Sequence, residues 1–233
     1  MFITYEEFAR RADAVRARIA QACAGAGRPA GDVELLAVTK NHPPGAAEYA
    51  ARYGLRAVGE NRVQEGVGKR ALVSAAIQWE LIGHLQSNKV GLAVRNFDRI
   101  QSVDSARLIE RLDTAAAQAG RVLPILLEIN TGGDPAKFGA APAGAASLLE
   151  AALSARNLRV EGLMTIAPLS GDPGVARRAF EGLRGLRDSL AATFGTALRE
   201  LSMGMTADLE QAVAAGSTLV RVGTALFGER MPP

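Results

Sequence analysis

Cysteine is nearly absent from this chain. Cys23 is the only one among 233 residues, which excludes an intrachain disulfide and any metal site built on thiolates. Histidine is almost as scarce: His42 and His84 alone cannot complete a ligand set, so no metal is expected. No apolar stretch approaches the roughly 18 residues that span a bilayer, so no membrane partner is expected. The opening residues, MFITYEEFARRADAVR, carry acidic side chains and lack the apolar core of a signal peptide, which predicts a cytoplasmic protein. A dominant charge is missing too. The 27 basic and 24 acidic residues leave a net charge of only +3, with no basic run interleaved with aromatics, so a nucleic-acid partner is not expected. Lysine is rare within that basic set. Only Lys40, Lys69, Lys89 and Lys137 are lysines, and in so arginine-rich a chain each raises the question of whether an amine is required there.

What is present is an alternation. A first segment, 4–24, has helical period: Phe8, Val15, Ile19 and Ala22 share a face, and Thr4 is placed to cap it. After it, eight short apolar or β-branched runs (33–39, 56–59, 79–83, 99–103, 123–130, 160–166, 200–203 and 219–222) are each followed by a stretch rich in Ala, Leu and Arg. The intervening helical stretches include 45–53, 61–74, 87–94, 105–119, 143–155, 174–194 and 207–215. Strands alternating with helices call for a parallel sheet covered by helices, and runs apolar throughout suit strands buried on both faces. Eight repeats predict an α/β fold, a (β/α)₈ TIM barrel with an extra N-terminal helix; an open sheet is the alternative. No linker or composition shift divides residues 1–233, which predicts a single domain.

In such barrels chemistry sits at the carboxyl ends of the strands. Lys40 ends the run VELLAVTK, either as a surface amine on an apolar stem or as a nucleophile toward a carbonyl in a partly desolvated mouth. Ser202-Met203-Gly204-Met205-Thr206 after the seventh run and Gly223-Thr224 after the eighth combine hydroxyls, backbone amides and glycines. The loops after strands seven and eight form a recurrent phosphate site of this fold, although the same residues also serve as tight turns and helix caps. Arg221 shares the face of Gly223 on the eighth run, where it would meet either a ligand acceptor such as a pyridine nitrogen or a structural partner, Glu60 or Asp104. An amine, a phosphate cradle and an arginine together match the handles of pyridoxal 5′-phosphate.

Seven segments carry a family resemblance: LLAVTK (35–40), GENRVQE (59–65), WELIGHLQSNK (79–89), IQSVDS (100–105), LRVEGLMTIAP (158–168), LSMGMTADLEQAVAAGST (201–218) and VRVGTALFG (220–228). They cover nearly the whole chain, which resembles the pyridoxal phosphate homeostasis proteins. The resemblance implies a barrel like the N-terminal domain of alanine racemase. It implies that Lys40 carries the cofactor as a Schiff base, and that Ser202, Gly204, Gly223 and Thr224 hold the phosphate. Arg221 would face the pyridine nitrogen, and Asn61 and Met164 would lie close to the ring. In the segment 130–139, where the family varies, Lys137 reads either as an exposed charge or as a transient acceptor of the aldehyde.

Two functions follow from that resemblance. One is a carrier that buffers pyridoxal phosphate and delivers it to apoenzymes through transient contact. The other is an amino-acid racemase, which needs two opposed acid/base groups at the α-carbon. Alanine racemase takes the second group from a tyrosine of another domain. This chain ends at Pro233 soon after the eighth run, and Tyr5, Tyr49 and Tyr53 all fall in helical segments. His84 is the best substitute. A non-catalytic, monomeric carrier is therefore expected, with a cofactor-free aldolase using Lys40 and the phosphate cradle as a third reading.

Overall fold

The computed structural model describes residues 2–229, so residue 1 and residues 230–233, the ends of the expected 1–233 unit, lie outside the described residues. The chain begins with helix α1 (Tyr5–Gly25), followed by β1 (Glu34–Val38), α2 (Gly45–Arg52), β2 (Ala57–Glu60), α3 (Val63–Arg70), β3 (Gln78–Leu81) and α4 (Val90–Asn96). It continues through β4 (Arg99–Val103), α5 (Ala106–Gln118), β5 (Leu123–Glu128), α6 (Ala145–Ser154), β6 (Leu158–Met164) and α7 (Pro173–Phe194). It closes with β7 (Glu200–Ser202), α8 (Leu209–Ala214), β8 (Leu219–Val222) and α9 (Thr224–Phe227).

Every strand pairs in parallel with its sequence neighbour, and β8 returns to β1 with Glu34 opposite Leu219 and Ala37 opposite Val222. The ring is closed, as the eight-fold alternation predicts, and the open-sheet alternative is excluded. Alternation along each strand divides the apolar residues between two cores. Leu35, Ala37, Val58, Trp79 and Leu81 belong to the main core under the helices, whereas Leu36, Val38, Ala57, Ile82 and Leu219 form a separate cluster within the ring. Helix α1 starts where Thr4 Oγ1 accepts the Glu7 N–H at 3.2 Å. It buries Phe8, Ala12, Val15, Ile19 and Cys23 against α8, α9 and α2, beside the seam where the barrel closes.

The floor of the barrel is charged, which the apolar reading of the strands did not anticipate. Glu80 Oε2 accepts from Arg99 Nε at 2.9 Å and from Gln101 Nε2, while its Oε1 accepts from Arg56 Nη2 at 2.9 Å. Arg99 also reaches Glu161 Oε2 at 3.1 Å. Buried charges persist only when paired, and these are, although Arg99 Nη2 itself has no hydrogen-bond partner among the described residues. The observed strands also stop short of several predicted runs. The run 79–83 leaves the ladder after Leu81, 123–130 after Glu128, and 160–166 after Met164. The trimmed residues become the loops that shape the open end.

Candidate functional site

A cavity of about 360 Å³ occupies the carboxyl end of the barrel, on top of the inner apolar cluster. Lys40 enters it from the turn after β1, Asn61 from the turn after β2, and Arg221 from β8 itself, with Gly223 and Thr224 following. Five of the eight residues nominated from the sequence therefore share one wall. Lys40 and Asn61 are half-buried, consistent with a mouth rather than a core.

Arg221 is the deepest of these groups, at 4% exposure. Its Nη1 donates to Ser202 Oγ at 2.7 Å and its Nη2 to the Thr165 carbonyl at 2.9 Å. Burial pushes the guanidinium down to about 10, with Glu128 and Asp208 supplying the opposing negative charge. Neither Glu60 nor Asp104, the two sequence-derived partners, pairs with it. Glu60 is bound to Lys69, and Asp104 Oδ2 lies 3.7 Å from His84 Nδ1.

Glu128, at the end of β5, is the cavity residue that the sequence reading missed. It is 4% exposed, and its carboxyl is pushed up to about 7 by burial and by Asp104, against the pull of Arg221. The only signal in the sequence is one acid at the end of the apolar run LPILLE.

Of the four residues expected to hold a phosphate, Gly223 and Thr224 line the cavity and Ser202 and Gly204 do not. Thr206 and Ala207, after β7, line it as well. Thr206 and Thr224 bring their hydroxyls and, with Ala207, their backbone amides to this part of the lining. Gly204 stands behind it with φ of 96°, where a Cβ would sit 2.4 Å from Ala212 Cβ. Glycine is required by both the backbone and the close approach of α8. Ser202 is fully buried below the cavity, its hydroxyl accepting from Arg221 and donating to Gln101 Oε1 at 2.6 Å. Met164 is also fully buried in β6, and Ile166, two residues on, reaches the cavity in its place. Thus Met164, Ser202 and Gly204 support the wall from behind.

The mouth is roofed by an aromatic pair. The His84 ring stacks on Phe138 with centroids 3.9 Å apart and planes 10° from parallel. Phe138 sits on the loop that bears Lys137, which is half-buried rather than fully exposed and donates from Nζ to the Ala167 carbonyl at 3.0 Å. The tyrosines are elsewhere. Tyr5, Tyr49 and Tyr53 pack with Phe8 in the aromatic cluster between α1 and α2. None of the three is among the cavity-lining residues.

Among known proteins, the profile of the alanine racemase N-terminal domain family matches residues 11–231. The pyridoxal phosphate homeostasis protein of Aquifex aeolicus is 40% identical over 221 residues, covering 94% of this chain and 97% of its own length. That of Pseudomonas aeruginosa is 40% identical over 217 residues, covering 93% of each. The structure of PipY from Synechococcus elongatus with pyridoxal phosphate bound superposes with a TM-score of 0.83 at 37% identity, covering 95% of this chain and 100% of PipY. An alanine racemase from Clostridium difficile shares the fold at 15% identity, with a TM-score of 0.75, 87% of this chain and 53% of its own covered. On sequence, length and barrel alike, this chain belongs to the pyridoxal phosphate homeostasis proteins, within the alanine racemase N-terminal domain family.

Proposed function

We propose that this chain, acting as one domain, binds pyridoxal 5′-phosphate covalently at Lys40, buffers it, and releases it to apoenzymes in transient encounters. One observation carries the reading: an amine, a buried guanidinium and the threonine- and glycine-bearing turns after β7 and β8 line a single cavity, in a family whose PipY member has been solved with this cofactor. The donor set fits the group. Thr206, Thr224 and the neighbouring amides suit a phosphate, Arg221 suits the ring nitrogen, and Lys40 Nζ is the nucleophile for the aldehyde.

Bound pyridoxal phosphate supplies a carbonyl that condenses with amines and a ring that withdraws electrons. The protein contributes placement. Arg221, held by Ser202 and Thr165, keeps a fixed donor at the floor of the cavity. Because a guanidinium stays protonated, a ring nitrogen facing it remains an acceptor, which weakens electron withdrawal. The His84–Phe138 pair narrows the mouth and limits access of stray amines to the cavity.

A racemase reading draws support from His84 and Glu128, which line the same cavity as Lys40 and are its available second acid/base groups. The carrier reading is favoured because the relatives that match nearly the whole chain are named for pyridoxal phosphate homeostasis, and Tyr5, Tyr49 and Tyr53 are not among the cavity-lining residues. The test is a visible spectrum of purified protein with added cofactor, followed by borohydride reduction, peptide mapping and a solvent-deuterium exchange assay on amino acids. The carrier predicts a coloured protein, an adduct on Lys40 and no exchange at the α-carbon. A colourless protein would end the cofactor reading, and rapid α-proton exchange would make it a racemase.

A further inference from the structure

A second lysine lies directly behind Lys40. Lys69, on α3, is 7% exposed, and its ammonium is threaded under the end of β1. Nζ donates to the Thr39 carbonyl at 2.7 Å, to Glu60 Oε1 at 2.8 Å and to Glu65 Oε1 at 2.7 Å. The same Glu65 oxygen accepts the backbone N–H of Asn41 at 2.5 Å. Thr39 Oγ1 completes the cluster by donating to Glu60 Oε1 at 2.6 Å. One buried ammonium therefore holds the backbone on both sides of Lys40, the carbonyl before it directly and the amide after it through Glu65.

That grip has something to hold. Asn41 has φ of 61° and is the non-glycine residue with positive φ among the described residues. Asparagine tolerates the left-handed region better than other non-glycine residues but is still strained there, and the bonds on either side of Lys40 hold the turn against that strain. The turn matters because it swings the chain off the β1 ladder at Lys40 and leaves that side chain on the cavity wall. Burying an ammonium is itself costly, and an apolar side chain in its place would often stabilise a fold as well or better. What an apolar residue cannot do is bond a carbonyl and a carboxylate on opposite sides of one residue.

We propose that Lys69, acting with Glu65, is a positioning residue that fixes Lys40 in the conformation from which its amine attacks the cofactor. This rests on Lys40 being the attachment residue. Lys69 is then the second amine the chain requires, one that is spent on backbone geometry rather than on chemistry.

The test compares wild type, Lys69→Met and Glu65→Gln on three measurements. These are the rate of covalent attachment of pyridoxal phosphate, the affinity for pyridoxine 5′-phosphate, and the thermal midpoint. Pyridoxine 5′-phosphate keeps the ring and phosphate but has an alcohol where the aldehyde would be, so it reports the cavity without Lys40 chemistry. Misplacing a reacting group by about 1 Å costs up to roughly a hundredfold, so attachment should slow by roughly ten- to a hundredfold in both variants. Affinity for the alcohol should stay within about twofold of wild type, since its phosphate and ring contacts are untouched. Lys69→Met strands the buried Glu60; if it does not fold, Glu65→Gln, which keeps the Lys69–Glu60 pair, decides alone. Unchanged attachment in a folded variant overturns the proposal. So does a parallel loss of pyridoxine 5′-phosphate binding, which would make the cluster a general support of the fold. Absence of a Lys40 adduct in wild type is a different failure, because it removes the attachment reading itself.

Discussion

At the scale of single residues, the site asks different things of Lys40 and Glu128. Lys40 is a half-buried residue at a strand end, so Lys40→Ala should change stability by less than about 1 kcal/mol. It should abolish the borohydride-fixed adduct while leaving phosphate-anchored binding of the cofactor measurable by equilibrium dialysis. A full-strength adduct in that variant would assign the attachment to Lys137 or another amine. Glu128 makes a pH prediction. Its carboxyl is pushed from the ordinary 4.5 to about 7 in the fold. Below about pH 4.5 it is protonated in folded and unfolded chains alike and costs nothing. As pH rises toward 7 the unfolded chain gives up the proton while the folded one keeps it, so stability falls. Above pH 7 the full penalty stands, at most about 3 kcal/mol. Glu128→Gln should therefore match wild type near pH 4 and be the more stable protein at pH 8 in urea titrations. An equal difference at both pH values would show that its titration is not linked to folding. Lys40 was legible because its run ends in a charge at a predicted strand end. Glu128 was not, because its neighbours Asp104, just after β4, and Arg221 in β8 are brought to it only by barrel closure.

At the scale of elements, strand identity was easier to read than strand length. Each apolar run marked a strand because burial on both faces leaves little room for polar residues, as in the fully buried LLAV of β1. Where a run stopped being a strand was not written in hydropathy. Ile82 and Ile129 are as apolar as the residues before them, yet both lie past the last paired residue of their strands, Ile82 in the cavity wall and Ile129 in the buried core. The same limit hid the charged floor: Glu80, Arg99 and Glu161 fall one to a run, and only barrel closure brings them together as a layer. The turn from β7 to α8 was legible, since Gly204 stands at a strand end, and its geometry gives a sharp prediction. Gly204→Ala meets two obstacles, a φ of 96° and a contact of 2.4 Å with Ala212 Cβ. It should cost at least about 2 kcal/mol and push α8 away from the turn that follows β7. Adding Ala212→Gly should return the steric part but not the backbone part, leaving a measurable remainder in a double-mutant cycle. Full recovery in the double variant would mean that φ at Gly204 carries no strain.

At the scale of the whole molecule, the cavity sits on the seam of the barrel. Lys40 follows β1 and Arg221 lies on β8, and these are the first and last strands, paired along the ring from Glu34–Leu219 to Ala37–Val222. A cofactor bound to Lys40 on one side and to the Gly223–Thr224 corner on the other would bridge the two ends of the sequence. Bridging opposes the opening of the seam, where β8 meets β1 and α1 packs over α8 and α9. Ligand present at a hundred times its dissociation constant stabilises a fold by about 2.7 kcal/mol. In a chain of this length that corresponds to a rise of roughly 5–11 °C in thermal midpoint. Pyridoxal phosphate should produce that rise in wild type, with a smaller one in Lys40→Ala, where only the phosphate corner and Arg221 remain to hold it. Inorganic phosphate fills one end of the site alone and should give the least. Hydrogen exchange locates the effect: protection should increase in β1 and β8 together, because the bridge couples them. A rise confined to the loops after β7 and β8, with β1 unchanged, would mean that the cofactor is anchored at its phosphate and does not cross the seam to Lys40.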